Sequence, residues 1–188
     1  MDRKRWAVGI SGASGAPIAV ALLKALKEIK EAEIHLVITK GGEMTLRQEC
    51  GMEKEELRQW ADRIWDNHDL GAPMASGSWK CGGMVVVPSS MKTVAGIANG
   101  FSENLLLRAA DVMIKERRPL ILVAREAPLS TIHLKNMLEL SRMGVTILPP
   151  MLSYYNHPES IEDATNHIVG KIMDHMGYEY ENFVRWEG

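Results

Sequence analysis

Met84-Val85-Val86-Val87-Pro88-Ser89-Ser90-Met91-Lys92-Thr93 is the stretch on which the fold turns. Its first half is an unbroken apolar run rich in β-branched residues. A strand with one wet face would alternate apolar and polar residues, so this run predicts a strand buried on both faces, as in a parallel sheet. Pro88 ends the run, and the two serines suit a helix N-cap. Similar short runs flank it at Trp6 to Ile10, Ile34 to Thr39, Leu120 to Ala124 and Val145 to Leu148. Between them lie helical patterns: Pro17 to Ile29, a stretch ending near Glu49, Ser89 to Asn99, Glu103 to Glu116, Ile132 to Arg142, and Ile161 to Met176. Glu53 to Ile64, with Leu57, Trp60, Ala61 and Ile64 at helical spacing, is also predicted as an amphipathic helix, and Asn67 to Gly77 as a loop. Five strands alternating with helices define the α/β class. The expected architecture is a doubly wound, mostly parallel sheet with helices on both faces and the strand at Met84 to Pro88 in its centre.

The chain of 188 residues fits a single domain spanning 1–188. Lysine and arginine number 22 against 24 acidic residues, a net charge of −2 at pH 7, without the positive field that non-specific nucleic-acid binding needs. No apolar run nears the roughly 18 residues of a membrane span, so a soluble, cytoplasmic protein is expected. Cys50 and Cys81 lie far apart, outside any CxxC, and the six histidines show no metal spacing, so no metal is expected. The 12 methionines read as core fillers, and the 5 tryptophans outnumber the 2 phenylalanines without themselves marking a site.

Doubly wound sheets bind ligands beyond the carboxyl ends of their strands. The first such loop is Gly9-Ile10-Ser11-Gly12-Ala13-Ser14-Gly15-Ala16-Pro17. Small residues there let a ligand approach the backbone, and a helix start favours an anion; the alternative is a tight βα turn with no ligand. The spacing is G-x-x-G-x-x-G rather than G-x-G-x-x-G, and the second strand ends in Thr39-Lys40 with no acidic residue, which argues against NAD. Ser89-Ser90 would lie on the same edge and suits an anion as well as a cap. Arg125-Glu126 follows a buried strand there, where a cation and a carboxylate could bind an anionic leaving group and move a proton, or form a structural ion pair. Arg108 and Lys115-Glu116-Arg117-Arg118-Pro119 read equally well as helix termination. Tyr154-Tyr155-Asn156, Lys171 and Arg185-Trp186 carry no meaning from spacing. There is no G-x-S-x-G elbow and no aspartate cluster of the DDxxD kind.

Taken together, Gly9 to Ala16, Ala75-Ser76-Gly77-Ser78, Arg108-Ala109-Ala110-Asp111-Val112, Lys115 to Leu120 and Arg125-Glu126-Ala127-Pro128-Leu129 resemble the flavin prenyltransferase (UbiX-type) family, from about Arg5 to Trp186. That family includes the small subunit of phenolic acid decarboxylase systems. The resemblance implies a Rossmann-like fold of flavoprotein type. It implies transfer of a dimethylallyl group from dimethylallyl monophosphate to N5 and C6 of reduced FMN, giving the prenylated flavin used by a partner aromatic acid decarboxylase. By position, Gly12, Ala13, Ser14, Thr39, Ser90 and Arg125 would contact FMN. Ser76, Lys115, Glu126, Tyr155 and Lys171 would hold the phosphate end of the prenyl donor, with Arg108 close by. Glu49 and Glu126 would be the acid/base carboxylates, Lys115 a catalytic cation, and Trp186 an aromatic wall.

These residue types suit the reaction. Cleavage of an allylic C–O bond leaves a phosphate that cations can stabilise and a delocalised cation that π faces can. Lys171 stands where relatives often have Arg, Pro88-Ser89-Ser90 where Pro-Cys-Ser is common, and Leu70 where some place a Trp. The resemblance also implies a homo-oligomer, commonly a dodecamer, with Tyr155 and Lys171 reaching a neighbour's site. Two alternatives are a non-catalytic FMN-carrying subunit and a flavin-dependent cysteine decarboxylase; the second would carry a P-A-S-A-N-T loop and a P-x-M-N motif, which this chain lacks.

Overall fold

The computed structural model describes residues 3–186. Six strands form one sheet: β1 (Lys4–Ile10), β2 (Ala32–Ile38), β3 (Arg63–Trp65), β4 (Gly83–Ser89), β5 (Leu120–Ala124) and β6 (Thr146–Ile147). The order is β3-β2-β1-β4-β5-β6, and every pair is parallel. The helices are α1 (Ala16–Glu28), α2 (Lys40–Cys50), α3 (Met91–Ala98), α4 (Leu105–Lys115), α5 (Thr131–Arg142) and α6 (Ile161–Met176).

Two cores sandwich the sheet, and the strand residues divide between them with period two. Trp6, Val8, Ile10, Val85, Val87, Ile121 and Val123 face α1 and α6, whereas Ala7, Met84, Val86, Leu120 and Leu122 face α3 and α4. Because both faces are covered, the central strands read as unbroken apolar runs.

The five expected strands are present. The expected helix from Glu53 to Ile64 is not. A short 3-10 turn at Lys54–Gln59, started by reciprocal bonds between Glu53 and Glu56, gives way to the sixth strand, β3, on the exposed edge of β2. Three residues of parallel pairing take the place of the last helical turn, and Leu57 and Ala61 are buried in the core all the same.

The chain runs outward from β1 through β2 to β3, then returns to start again at β4 and runs the other way. Loops after β1 and β4 therefore diverge and leave a crevice at their carboxyl ends, where this fold class binds ligands.

Candidate active site

Four loops meet at that crevice. The loop after β1 is bound to the one after β4 by Ser11: its hydroxyl donates to Pro88 O (3.0 Å) and accepts from Ser90 N–H (2.8 Å). Ser11 is buried, and no spacing signal marks it in the sequence. Gly12 lies so close to the start of α2 that a Cβ there would sit 2.9 Å from Gly41 Cα. Only glycine permits that approach.

Thr39 caps α2 by accepting Gly42 N–H at 3.1 Å, and Ser90 caps α3 by accepting Thr93 N–H at 3.3 Å. Asn104 caps α4 by accepting Leu107 N–H at 3.0 Å, while Asn67 Oδ1 accepts Leu106 N–H at 3.1 Å. Three helix N-termini therefore open on one cleft of about 510 Å³, lined by Gly12, Thr39, Gly41, Ser90, Thr93 and Asn104 among others. Its volume is that of a small-molecule site, and the aligned N–H dipoles favour an anion. Beside the cleft-lining Ser90, at the end of β4, Ser89 Oγ is fully buried with no hydrogen-bond partner.

Glu49 reaches across from the end of α2 to the start of α1, which Gly15 cannot cap with a side chain. One carboxylate oxygen accepts Gly15 N–H at 2.8 Å and Ala16 N–H at 2.9 Å. Burial pushes this carboxyl up. Hydrogen bonds from Gly15, Ser14 and Ala16, with the Arg125 charge, outweigh that and hold it below the usual carboxylate value. Arg125 N–H bonds Ser89 O at 3.0 Å, which seats Arg125 and Glu126 at the same edge. Glu126 Oε1 accepts Ala127 N–H at 3.0 Å, and no ion pair joins it to Arg125 among the described residues.

So Gly12, Ala13, Ser14, Thr39, Ser90, Glu49, Arg125 and Glu126 share one edge. Ser76, Arg108 and Lys115 form a second group on the outer face of α4, where i and i+7 align. Arg108 Nε donates to Ala75 O (3.1 Å) and its Nη1 to Asp111 (2.6 Å), and Lys115 pairs with Glu116. Tyr155, Lys171 and Trp186 form a third group. Tyr155 meets the His167 and Trp186 rings edge-on at 5.8 and 5.3 Å, and Lys171 Nζ lies 5.4 Å from the Phe183 ring centre.

One chain does not join the first two groups. The N-terminus of α4 opens on the cleft and its last residue, Lys115, leads into the start of β5, whereas Arg125 follows the end of β5. The five residues of β5 alone span roughly 16 Å.

A glycine cradle and converging helix N-termini on a doubly wound sheet suit a phosphate-bearing cofactor, and the Flavoprotein family model, which matches residues 1–176, makes this a flavoprotein-type site. A probable UbiX-like flavin prenyltransferase from Sedimentibacter hydroxybenzoicus is 47% identical over 184 residues, covering 98% of this chain and 97% of the relative. A dodecameric FMN-dependent UbiX-like decarboxylase from Escherichia coli O157:H7 superposes with a TM-score of 0.96 at 47% identity, covering 98% of this chain and 100% of that one. AnUbiX (PadA1), solved in complex with FMN and dimethylallyl pyrophosphate, matches with a TM-score of 0.96 at 45% identity, covering 99% and 98%. The chain belongs to the UbiX-like flavin prenyltransferase family.

Proposed function

We propose that the protein transfers dimethylallyl from dimethylallyl monophosphate to N5 and C6 of reduced FMN, releasing phosphate, and that the prenylated flavin serves a partner aromatic acid decarboxylase in the cytoplasm. The observation that carries this is the cleft of three helix N-termini with a cation and a carboxylate, Arg125 and Glu126, on the same edge. The donor set fits FMN: helix N–H groups and the Thr39 and Ser90 hydroxyls suit its phosphate, and Gly12 admits it close to the backbone. Reduced flavin, when bound, supplies the nucleophilic ring atoms.

The protein's own groups do the rest. Arg125, with Ser76, Arg108, Lys115, Tyr155 and Lys171, stabilises the departing phosphate, and Glu126 accepts the proton that the second bond releases. Glu49 stays ionised over the start of α1, where its charge favours a developing cation. Trp186 and Tyr155 supply π faces.

Since Lys115 and Arg125 lie at opposite ends of β5, this reading requires a site shared between copies in a homo-oligomer, proposed as a dodecamer. Exposed apolar side chains support an interface: Ile132, Leu134 and Leu138 on α5, with Met151, Leu152 and Tyr154 in the loop before α6. Among the described residues no helix is long and apolar enough to cross a membrane.

The test is incubation with reduced FMN and dimethylallyl monophosphate without oxygen, followed by the mass of the flavin. A gain of one prenyl unit is expected. Bound FMN with no mass gain would sink the reading in favour of a flavin-carrying subunit.

A further inference from the structure

Arg118 belongs to the basic run after α4, and the reaction as described makes no use of it. Arg117, at φ 53°, turns the chain back at the helix end, and Arg118 N–H returns to Met113 O at 2.8 Å. That fold-back aims the guanidinium at the loop between the Ala75 turn and β4. Nη2 donates to Gly77 O and Nη1 to Trp79 O, both at 2.7 Å, and Nη1 also lies 3.7 Å from Cys81 Sγ. The side chain is only 19% exposed. Charge-assisted bonds to two carbonyls of one loop are about twice as strong as neutral ones and fix an orientation as well as a distance.

A trans peptide directs its C=O and the following N–H to opposite sides. Holding Gly77 O and Trp79 O inward therefore turns Ser78 N–H and Lys80 N–H outward. Ser76 and Ser78 join through their hydroxyls at 2.8 Å, and the Ser78 N–H makes only a long 3.3 Å bond to Ser76 Oγ. Gly77 is pressed against the end of α4: a Cβ there would overlap the Glu116 carboxylate and lie 2.7 Å from Lys115 Nζ. The loop thus presents two hydroxyls and outward N–H groups beside the Lys115 ammonium, whose partner in this structure is the Glu116 carboxylate.

We infer that Arg118 is a positioning residue: it locks the Gly77 and Trp79 carbonyls so that the Ser76–Ser78 loop and Lys115 together receive the phosphate of the prenyl donor. This rests on the prenyltransferase reading for the donor and for its phosphate lying at Ser76 and Lys115; the geometry supplies the role of Arg118.

The assembled protein, saturated with FMN so that the helix N-terminal cleft is filled, is titrated with inorganic phosphate by calorimetry, and KM for dimethylallyl monophosphate is measured beside FMN affinity, for the parent, Arg118→Met, Arg118→Lys and Arg118→Ala. Arg118→Met should weaken phosphate binding and raise that KM about ten-fold or more with FMN affinity unchanged. Arg118→Lys, which can reach one carbonyl, should fall between. Guanidinium ion at low millimolar concentration should restore phosphate binding to Arg118→Ala. Phosphate affinity equal to the parent's in a folded Arg118→Met, or a loss of FMN affinity in step with the KM change, overturns the inference. Should Arg118→Met fail to fold, the lysine variant carries the same test. A parent that binds phosphate but never prenylates flavin would defeat the proposed function while leaving the loop assignment standing.

Discussion

Ser11 Oγ accepts the backbone N–H of Ser90 at 2.8 Å and, with Ser11 N–H donating to Pro88 O at 3.1 Å, holds the loop after β1 against the loop after β4. The same hydroxyl donates its one proton to Pro88 O, so both bonds it makes hold the crevice together. Ser11→Ala would strand a part-buried N–H beside the cap of α3. The expected cost is about 1–2 kcal/mol of folding stability, read from the denaturation midpoint, together with weaker FMN binding. Stability and FMN affinity both equal to the parent's would show that the loops are held by other means.

Glu126 lies two residues beyond the end of β5 and spends one oxygen on the N–H of the next residue, Ala127, leaving the other for a substrate proton. Glu126→Gln keeps the shape and removes the base. Turnover should fall about 100-fold or more, with FMN affinity retained. Product formed at the parent's rate would remove Glu126 from the proton step.

Lys115 and Arg125 stand at opposite ends of β5, so a shared site has a signature in mixed assemblies. Lys115→Met and Arg125→Met should each be inactive alone. When the two variants are co-expressed and co-assemble, some sites combine an intact Lys115 from one copy with an intact Arg125 from another. Partial activity should return in the mixture, measured as prenylated flavin per chain. Co-assembled mixtures with no activity above the separate variants would argue that each site is built from one chain.

Much of this architecture is legible in the sequence because it is local. Runs such as Val85 to Val87 and Ile121 to Val123 are apolar throughout since both sheet faces are covered, and Ser90 reads as a cap next to the helix it starts, whereas Thr39, which reads as the end of a strand, is the cap of α2. β3 is not legible: it is a three-residue edge strand whose side chains are partly wet, and Leu57 and Ala61 pack into the core at the spacing a helix would give. The site divides similarly. The glycines of the first loop are visible, whereas the roles of Ser11, Glu49 and Arg118 depend on backbone groups 79, 34 and 41 residues away, and no spacing pattern records such a bond. The basic and acidic residues from Lys115 to Glu126 look like one cluster on paper, and the intervening strand separates them.

The C-terminal tail offers a pH prediction whose sign follows from one ion pair. Arg185 grips Asp174 with two bonds, 2.8 and 2.6 Å, and thereby lays Phe183 into the gap left by Gly170 and sets Trp186 against Tyr155. The Arg185 hydrogen bond holds the Asp174 carboxyl below the usual carboxylate value, against a smaller opposing push from burial. A depressed carboxylate contributes stability that is complete above its unfolded value, near 4 for Asp, and is lost as pH falls through the lower folded value. Tail docking should therefore be unchanged from pH 8 to about 5 and weaken only below about 4. Both partners are partly exposed, so solvent screening keeps the pair's contribution small, and Asp174→Asn should loosen the tail without unfolding the domain. Gly170→Ala should act harder, because the new methyl overlaps the buried Phe183 ring and must expel it. Hydrogen exchange at residues 180–186 reads all three: protection constant down to pH 5, reduced in Asp174→Asn, and abolished in Gly170→Ala. Protection that declines between pH 7 and 5 would instead point to a histidine: His167, whose ring centre lies 5.2 Å from that of Phe183 and whose pKa burial lowers, or His175 beside Asp174.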